Sequence, residues 1–288
     1  MDQPATPAPL SQVAAAATVA RTRWQGATTV WRVWGSGHPV ILVHGAFGSW
    51  THWLRTIPDL AADHRLLVPD LPGFGDSDDP VCEDALEAIP GALLAGMESL
   101  VDLDVGISVV GFSFGSVMAG ALAARLADAH PGALRRLVLV APAGIGMPTR
   151  RAAGLASMDP AMDTAARRAV HRRNLGIVML ADPASIGEEA VDIQAVNTAR
   201  TRLSGKPYSR SATLSEVCPT LPLDRIDTIS GTVDAYARRH GTAYHDRIGA
   251  LHPNLSVHRV DGAGHWVQYE APTAFNAILR ACLNVDGS

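Results

Sequence analysis

The 288-residue chain has a formal net charge of −4, with 47% hydrophobic and 18% charged residues. This is the make-up of a globular protein with a large core, and it gives no reason to expect nucleic acid or an anionic membrane as a partner. Three widely spaced cysteines, Cys82, Cys218 and Cys282, form no CxxC pair, which argues against a disulfide scaffold or a cysteine-built metal site and fits a reducing cytoplasm.

Residues 1–25 read as a mobile N-terminal tail. Their apolar stretch, 13–20, is too short to span a bilayer and is preceded by Asp2 rather than a basic residue, so no secretion signal is expected and the protein is placed in the cytoplasm. Alternation at 28–34 and apolar runs at 39–43, 65–68, 107–110 and 137–140 predict strands, with helical patterns between them. The run 70–77, Asp-Leu-Pro-Gly-Phe-Gly-Asp-Ser, is dense in turn formers. Near-continuous apolar strands alternating with helices indicate an α/β fold, a doubly wound and mostly parallel sheet covered on both faces.

The alternation breaks after Gly144 and Gly146. From about 148 to 220 only helical patterns occur, with Arg150, Arg151, Arg167, Arg168, Arg172 and Arg173 concentrated among them. Strands return at 225–230 and 256–260, and a helix from Ala271 closes the chain. The expected organisation is a core of 26–146 and 222–288 interrupted by a helical lid, 147–221, seated over the carboxyl ends of the strands where such folds place their sites.

The most informative segment is Gly111-Phe112-Ser113-Phe114-Gly115, between an apolar strand and an alanine-rich helix. Glycine two residues either side of a serine permits a strand-to-helix turn too tight for side chains, which lifts the serine Oγ clear of the sheet. A serine hydroxyl needs a base. His265, in Gly262-Ala263-Gly264-His265-Trp266 after the last strand, is the candidate among eleven histidines. His171, His240, His245, His252 and His258 lie in charged stretches and are read as solvated. The carboxylate that would fix the imidazole is Asp234, which follows the strand 225–230 and gives the order Ser, Asp, His. Asp227 lies within that strand, and Asp246 and Asp261 are less well placed. The backbone N–H groups of Phe114 and Ala46, the latter in His44-Gly45-Ala46-Phe47-Gly48, would form an oxyanion hole. His44 is expected to hold that loop rather than take part in the chemistry.

Together these elements resemble the α/β-hydrolase fold superfamily over roughly residues 26–286. The resemblance implies acyl transfer to water through Ser113, since the dehalogenases and epoxide hydrolases of this fold carry aspartate at that apex. No metal or organic cofactor is implied. Residues Asn174 and Leu175, Asp182 and Pro183, Asn197, and the run from Gly264 to Glu270 also resemble the carbon–carbon hydrolases of meta-ring-fission products, which use the same triad. Their oxyanion loop reads His-Gly-x-Gly-Pro-Gly, whereas this one reads His44-Gly45-Ala46-Phe47-Gly48-Ser49. Their lid arginine, which grips a dienoate carboxylate, aligns with Gln194, leaving Arg200 or Arg202 as substitutes.

Three functions therefore stand: hydrolysis of a small apolar or aromatic carboxylic ester, carbon–carbon hydrolysis of a vinylogous diketone, and non-catalytic ligand binding on the same fold. Phe47, Trp266, Gln194 and Arg200 are the expected substrate contacts. The partner is an apolar small molecule, and assembly is left between monomer and homodimer.

Overall fold

The computed structural model describes residues 9–148 and 152–284. The first eight residues of the expected tail, and Arg150 and Arg151 of the basic group, lie outside the described residues. One eight-stranded sheet runs in the order β1-β2-β4-β3-β5-β6-β7-β8. Its strands are β1 (Thr18–Trp24), β2 (Ala27–Trp34), β3 (His38–Val43), β4 (His64–Pro69), β5 (Ile107–Phe112), β6 (Leu134–Val140), β7 (Ile226–Gly231) and β8 (Leu255–Val260). The β1–β2 and β2–β4 pairs are antiparallel, and every pair from β4 through β8 is parallel.

The central strands are buried on both faces, which is why they read as unbroken apolar runs. On β3, Ile41 and Val43 enter one core with Leu93, Val117 and Leu122, while Val40 and Leu42 enter the other with Leu60, Phe275 and Leu279. Each such aliphatic side chain contributes about 1.5–3 kcal/mol by leaving water. Among the described residues no helix is long and apolar enough to cross a membrane.

The expected tail is corrected from Leu10 onward. A short helix, Leu10–Ala15, buries Val13, whose carbonyl accepts the Trp34 indole N–H at 2.9 Å. β1 then pairs along its whole length with β2. Its sequence, Thr-Val-Ala-Arg-Thr-Arg-Trp, is that of a half-exposed edge strand carrying charges against edge pairing, so it lacks the apolar run that marks its buried neighbours.

Between β6 and β7 the described chain is helical and contributes no strand. Its longer helices are Thr164–Val178, with Asp163 accepting from Ala166 N at 2.8 Å as the N-cap, and Glu188–Ala199. The insertion is fastened to the loops at the carboxyl ends of the strands. Buried Asn197 accepts the Ser49 hydroxyl at 2.8 Å and donates to Thr51 Oγ1 at 3.0 Å. Arg200 pairs with Asp76 at 2.5 Å, and Arg202 with Asp79. Two histidines read as solvated, His171 and His252, are in fact buried, and His252 Nδ1 accepts Asn254 N–H at 3.2 Å.

Candidate active site

β5 delivers the backbone to Ser113, which sits at φ 53°, ψ −117°, immediately before the helix Phe114–Ala129. A non-glycine residue in this region is strained, and its neighbours hold it there. Ser113 N donates to Val140 O and Ser113 O accepts from Ser116 N, both at 2.9 Å. The flanking glycines leave no room for a side chain. A Cβ on Gly111 would lie 2.5 Å from Gly115 O, and one on Gly115 would lie 2.4 Å from His44 O and 2.5 Å from Val43 O. The tight turn thus also docks the helix against the end of β3.

The three expected residues converge. His265 Nε2 lies 2.9 Å from Ser113 Oγ, and His265 Nδ1 lies 2.8 Å from Asp234 Oδ2. A carboxylate facing Nδ1 puts the imidazole proton there, so Nε2 accepts the serine hydroxyl. Asp234 is almost wholly buried. Burial alone would raise its pKa, but His265 and the backbone N–H groups of Tyr236 and Ala237 outweigh it, and the carboxyl is held below its ordinary range. Those two N–H groups, at 2.7 and 3.4 Å from Oδ1, make Asp234 the N-cap of the next short helix as well.

Ala46 and Phe114 sit on the two segments that meet at the turn. Among the described residues neither backbone N–H has a protein acceptor. His44 is not at the serine: Leu71 N donates to its Nε2 at 2.9 Å, so Nδ1 carries the proton and donates to Gly45 O at 2.8 Å. It holds the loop, as expected. Sequence reasoning missed His52, whose Nδ1 accepts Gly45 N–H at 3.2 Å and whose ring packs edge-on to Phe112 and Trp266. Burial, reinforced by His44 and His265, holds His52 well below the usual histidine range, so it stays neutral.

Glu270 was also missed. Its carboxylate accepts from Gly264 N beside His265 and, at 2.7 and 2.6 Å, from Ala181 N and Asp182 N of the insertion. It ties the loop carrying His265 to the insertion. The signal lay in its place five residues after His265, but a lone glutamate there names no partner.

Several expected substrate contacts lie elsewhere. Trp266 is fully buried, stacked on Tyr269 at 4.2 Å, and its Nε1 donates to His52 O at 3.0 Å. It is core, its ring packed between those of His52 and Tyr269. Gln194 spends its amide on Thr198 Oγ1 at 3.0 Å within its own helix. Arg200, with Arg202, is paired to the 70–79 turn as described above, so neither guanidinium is directed at Ser113. Phe47, by contrast, is 41% exposed at φ 54° beside Ala46.

Gly205 of the insertion closes over the oxyanion segments. A Cβ there would stand 3.1 Å from both Ala46 Cβ and the Phe114 ring. His265 also borders a cavity of about 680 Å³, lined by Ile177, Met179, Leu180 and Val233 together with Asp182, Arg238 and Arg239.

The profile described as the alpha/beta hydrolase family matches residues 40–278. The chain is 27% identical over 264 residues to a 2-hydroxy-6-oxo-6-phenylhexa-2,4-dienoate hydrolase of Burkholderia cepacia, covering 85% of this chain and 87% of that protein. Among solved structures, an esterase from Rhodococcus sp. ECU1013 superposes with a TM-score of 0.69 at 24% identity, covering 94% of this chain and 100% of its own. A meta-cleavage product hydrolase from Pseudomonas fluorescens IP01 gives 0.68 at 23%, covering 91% and 96%. At these identities the two structures bear on the fold alone.

Proposed function

The chain belongs to the alpha/beta hydrolase family, and from that premise we propose that it is a serine hydrolase acting on the ester of a small apolar or aromatic acid. The observation that carries this reading is the unbroken path from Ser113 Oγ through His265 to buried Asp234, with hydrogen bonds of 2.9 and 2.8 Å. As Ser113 Oγ attacks the acyl carbonyl, its proton passes to His265 Nε2. Asp234 keeps the imidazole oriented and offsets the charge it gains. The oxyanion is held by the N–H groups of Ala46 and Phe114, each such donor contributing about 2.7–4 kcal/mol in the transition state. The leaving alkoxide takes the proton back from His265, and a water activated by the same imidazole then releases the acid.

The insertion serves as the lid in this scheme. Its Gly205 lies over Ala46 and Phe114, and its strap from Ile177 to Leu180 forms one wall of the cavity beside His265, whose lining mixes these aliphatic side chains with Asp182, Arg238 and Arg239. Phe47 stands exposed at the rim of the oxyanion loop, where an apolar leaving group would pass.

A second reading, carbon–carbon hydrolysis of a dienoate, draws support from the Burkholderia cepacia relative and from Arg238 and Arg239 on the cavity wall, which could receive a carboxylate. Both readings need Ser113. Replacement Ser113→Ala is expected to lower turnover of short-chain nitrophenyl esters by about 10⁴-fold or more while leaving the melting temperature unchanged. Undiminished turnover would refute the mechanism. Decay of a yellow dienoate at a rate exceeding ester hydrolysis would select the second reading over the first.

A further inference from the structure

A second cluster of chemistry-bearing side chains lies at the far edge of the sheet, away from the carboxyl ends where Ser113, Asp234 and His265 meet. Asp227 is the second residue of β7, and His258 belongs to edge strand β8. The parallel register sets Asp227 opposite Ser256 and Ile229 opposite His258. Because side chains alternate along a strand, Asp227 and His258 are diagonal neighbours on one face. The closing helix, Pro272–Leu283, brings Cys282 of its last turn to the same point. His258 Nε2 is 2.8 Å from Asp227 Oδ1 and 3.5 Å from Cys282 Sγ, and the three donor atoms all lie within 4.8 Å of one another.

One imidazole nitrogen cannot serve both neighbours, since it carries either one proton or one lone pair. Without a cation the carboxylate pairs with His258 and the Cys282 thiol keeps its proton, hydrogen-bonded to Asp227, so all three donors already converge on one point. We propose that Asp227, His258 and Cys282 form a binding site for a zinc-class divalent cation. Carboxylate, imidazole and thiolate are the donors such a cation takes, and one of each balances its charge. Bonds of about 2.0–2.3 Å at tetrahedral angles place N and S about 3.6 Å apart and N and O about 3.4 Å apart. The N–S separation of 3.5 Å already matches, and the N–O separation of 2.8 Å must open by about 0.6 Å.

Asp227 and Cys282 are buried, while the His258 side chain is 34% exposed, so the fourth position faces solvent and takes water. The second Asp227 oxygen is held by Arg225 Nε at 3.0 Å, which orients the carboxylate. On binding, the Cys282 S–H proton leaves to solvent as the metal–sulfur bond forms, with no change of oxidation state. The site joins β7, edge strand β8 and the last helix, and so closes the segment 258–282 that carries His265. Its role is a clasp on that segment.

The test uses the full-length protein stripped by a chelator and dialysed. Cobalt(II) is expected to give a saturable near-ultraviolet thiolate charge-transfer band at a single equivalent, and this band should be absent in Cys282→Ala and diminished in His258→Gln. Zinc at about a hundredfold excess over its Kd should raise the melting temperature of the unmodified protein by about 5 °C or more, and should not raise that of Cys282→Ala. No charge-transfer band, or an equal thermal shift in Cys282→Ala, would overturn the proposal. Since neither readout depends on turnover, the outcome is independent of the hydrolase reading.

Discussion

Replacing Gly115 by alanine tests the coupling between the nucleophile turn and the oxyanion loop. The new Cβ would lie 2.4 Å from His44 O, 2.5 Å from Val43 O and 2.9 Å from His44 C. A carbon-to-oxygen contact needs about 3.3 Å, so the segments must part by about 0.9 Å, from 2.4 Å to 3.3 Å. Both contacts are backbone, so no side-chain rotation relieves them. Ala46 follows His44 on one segment and Phe114 precedes Gly115 on the other, so parting them widens the gap between the two proposed donors. A displacement near 1 Å costs about 10²-fold in rate, in keeping with the loss of one donor, and overpacking adds about 1–3 kcal/mol of destabilisation. Steady-state hydrolysis of a nitrophenyl ester should therefore show kcat lowered about 10²-fold in Gly115→Ala, with KM little changed. Gly187→Ala, where a Cβ meets nothing within 4 Å at φ −78°, is the matched control and should behave as the parent. Parental kcat in Gly115→Ala would refute the reasoning.

Two further outcomes follow from the charges at the site. Asp234→Asn keeps the shape but loses the charge that fixes the His265 tautomer, so kcat should fall by about 10⁴-fold, and a loss of less than tenfold would show that another group orients the ring. Burial holds both His44 and His52 below the ordinary histidine value of 6.5. Below that value the unfolded chain takes up protons that the folded one refuses, so the melting temperature should be flat above about pH 6.5 and fall as the solution is made more acid. A melting temperature that held or rose between pH 6.5 and 5 would contradict neutral burial of these rings.

Much of this could be read in the sequence, for physical reasons that also explain the failures. β3, β5 and β6 are covered on both faces, so burial writes an uninterrupted apolar run into each. β1 has one partner strand and a wet face, and the alternation of Thr22, Arg23 and Trp24 carries too little apolar content to stand out. Ser113, Asp234 and His265 were legible because glycine turns at strand ends mark places where the backbone is bent to present a side chain. Their neighbours were not, since adjacency in sequence does not set direction. Trp266 follows His265 yet points into the core, and Arg200 and Arg202 spend their charge on Asp76 and Asp79, which are more than 120 residues away in the chain. His52 and Glu270 act only through contacts with Gly45 and Gly264 that form in three dimensions, so no local pattern announces them.

The central claim is that Ser113 is a nucleophile activated by His265. The most direct measurement is intact-mass and peptide analysis after exposure to a reactive organophosphonate, with residual esterase activity followed in parallel. The account predicts a single equivalent bound on Ser113, activity lost in proportion to labelling, no label in Ser113→Ala, and slowed labelling in His265→Ala. Activity that survives full labelling, or a label carried on any other residue, would contradict it.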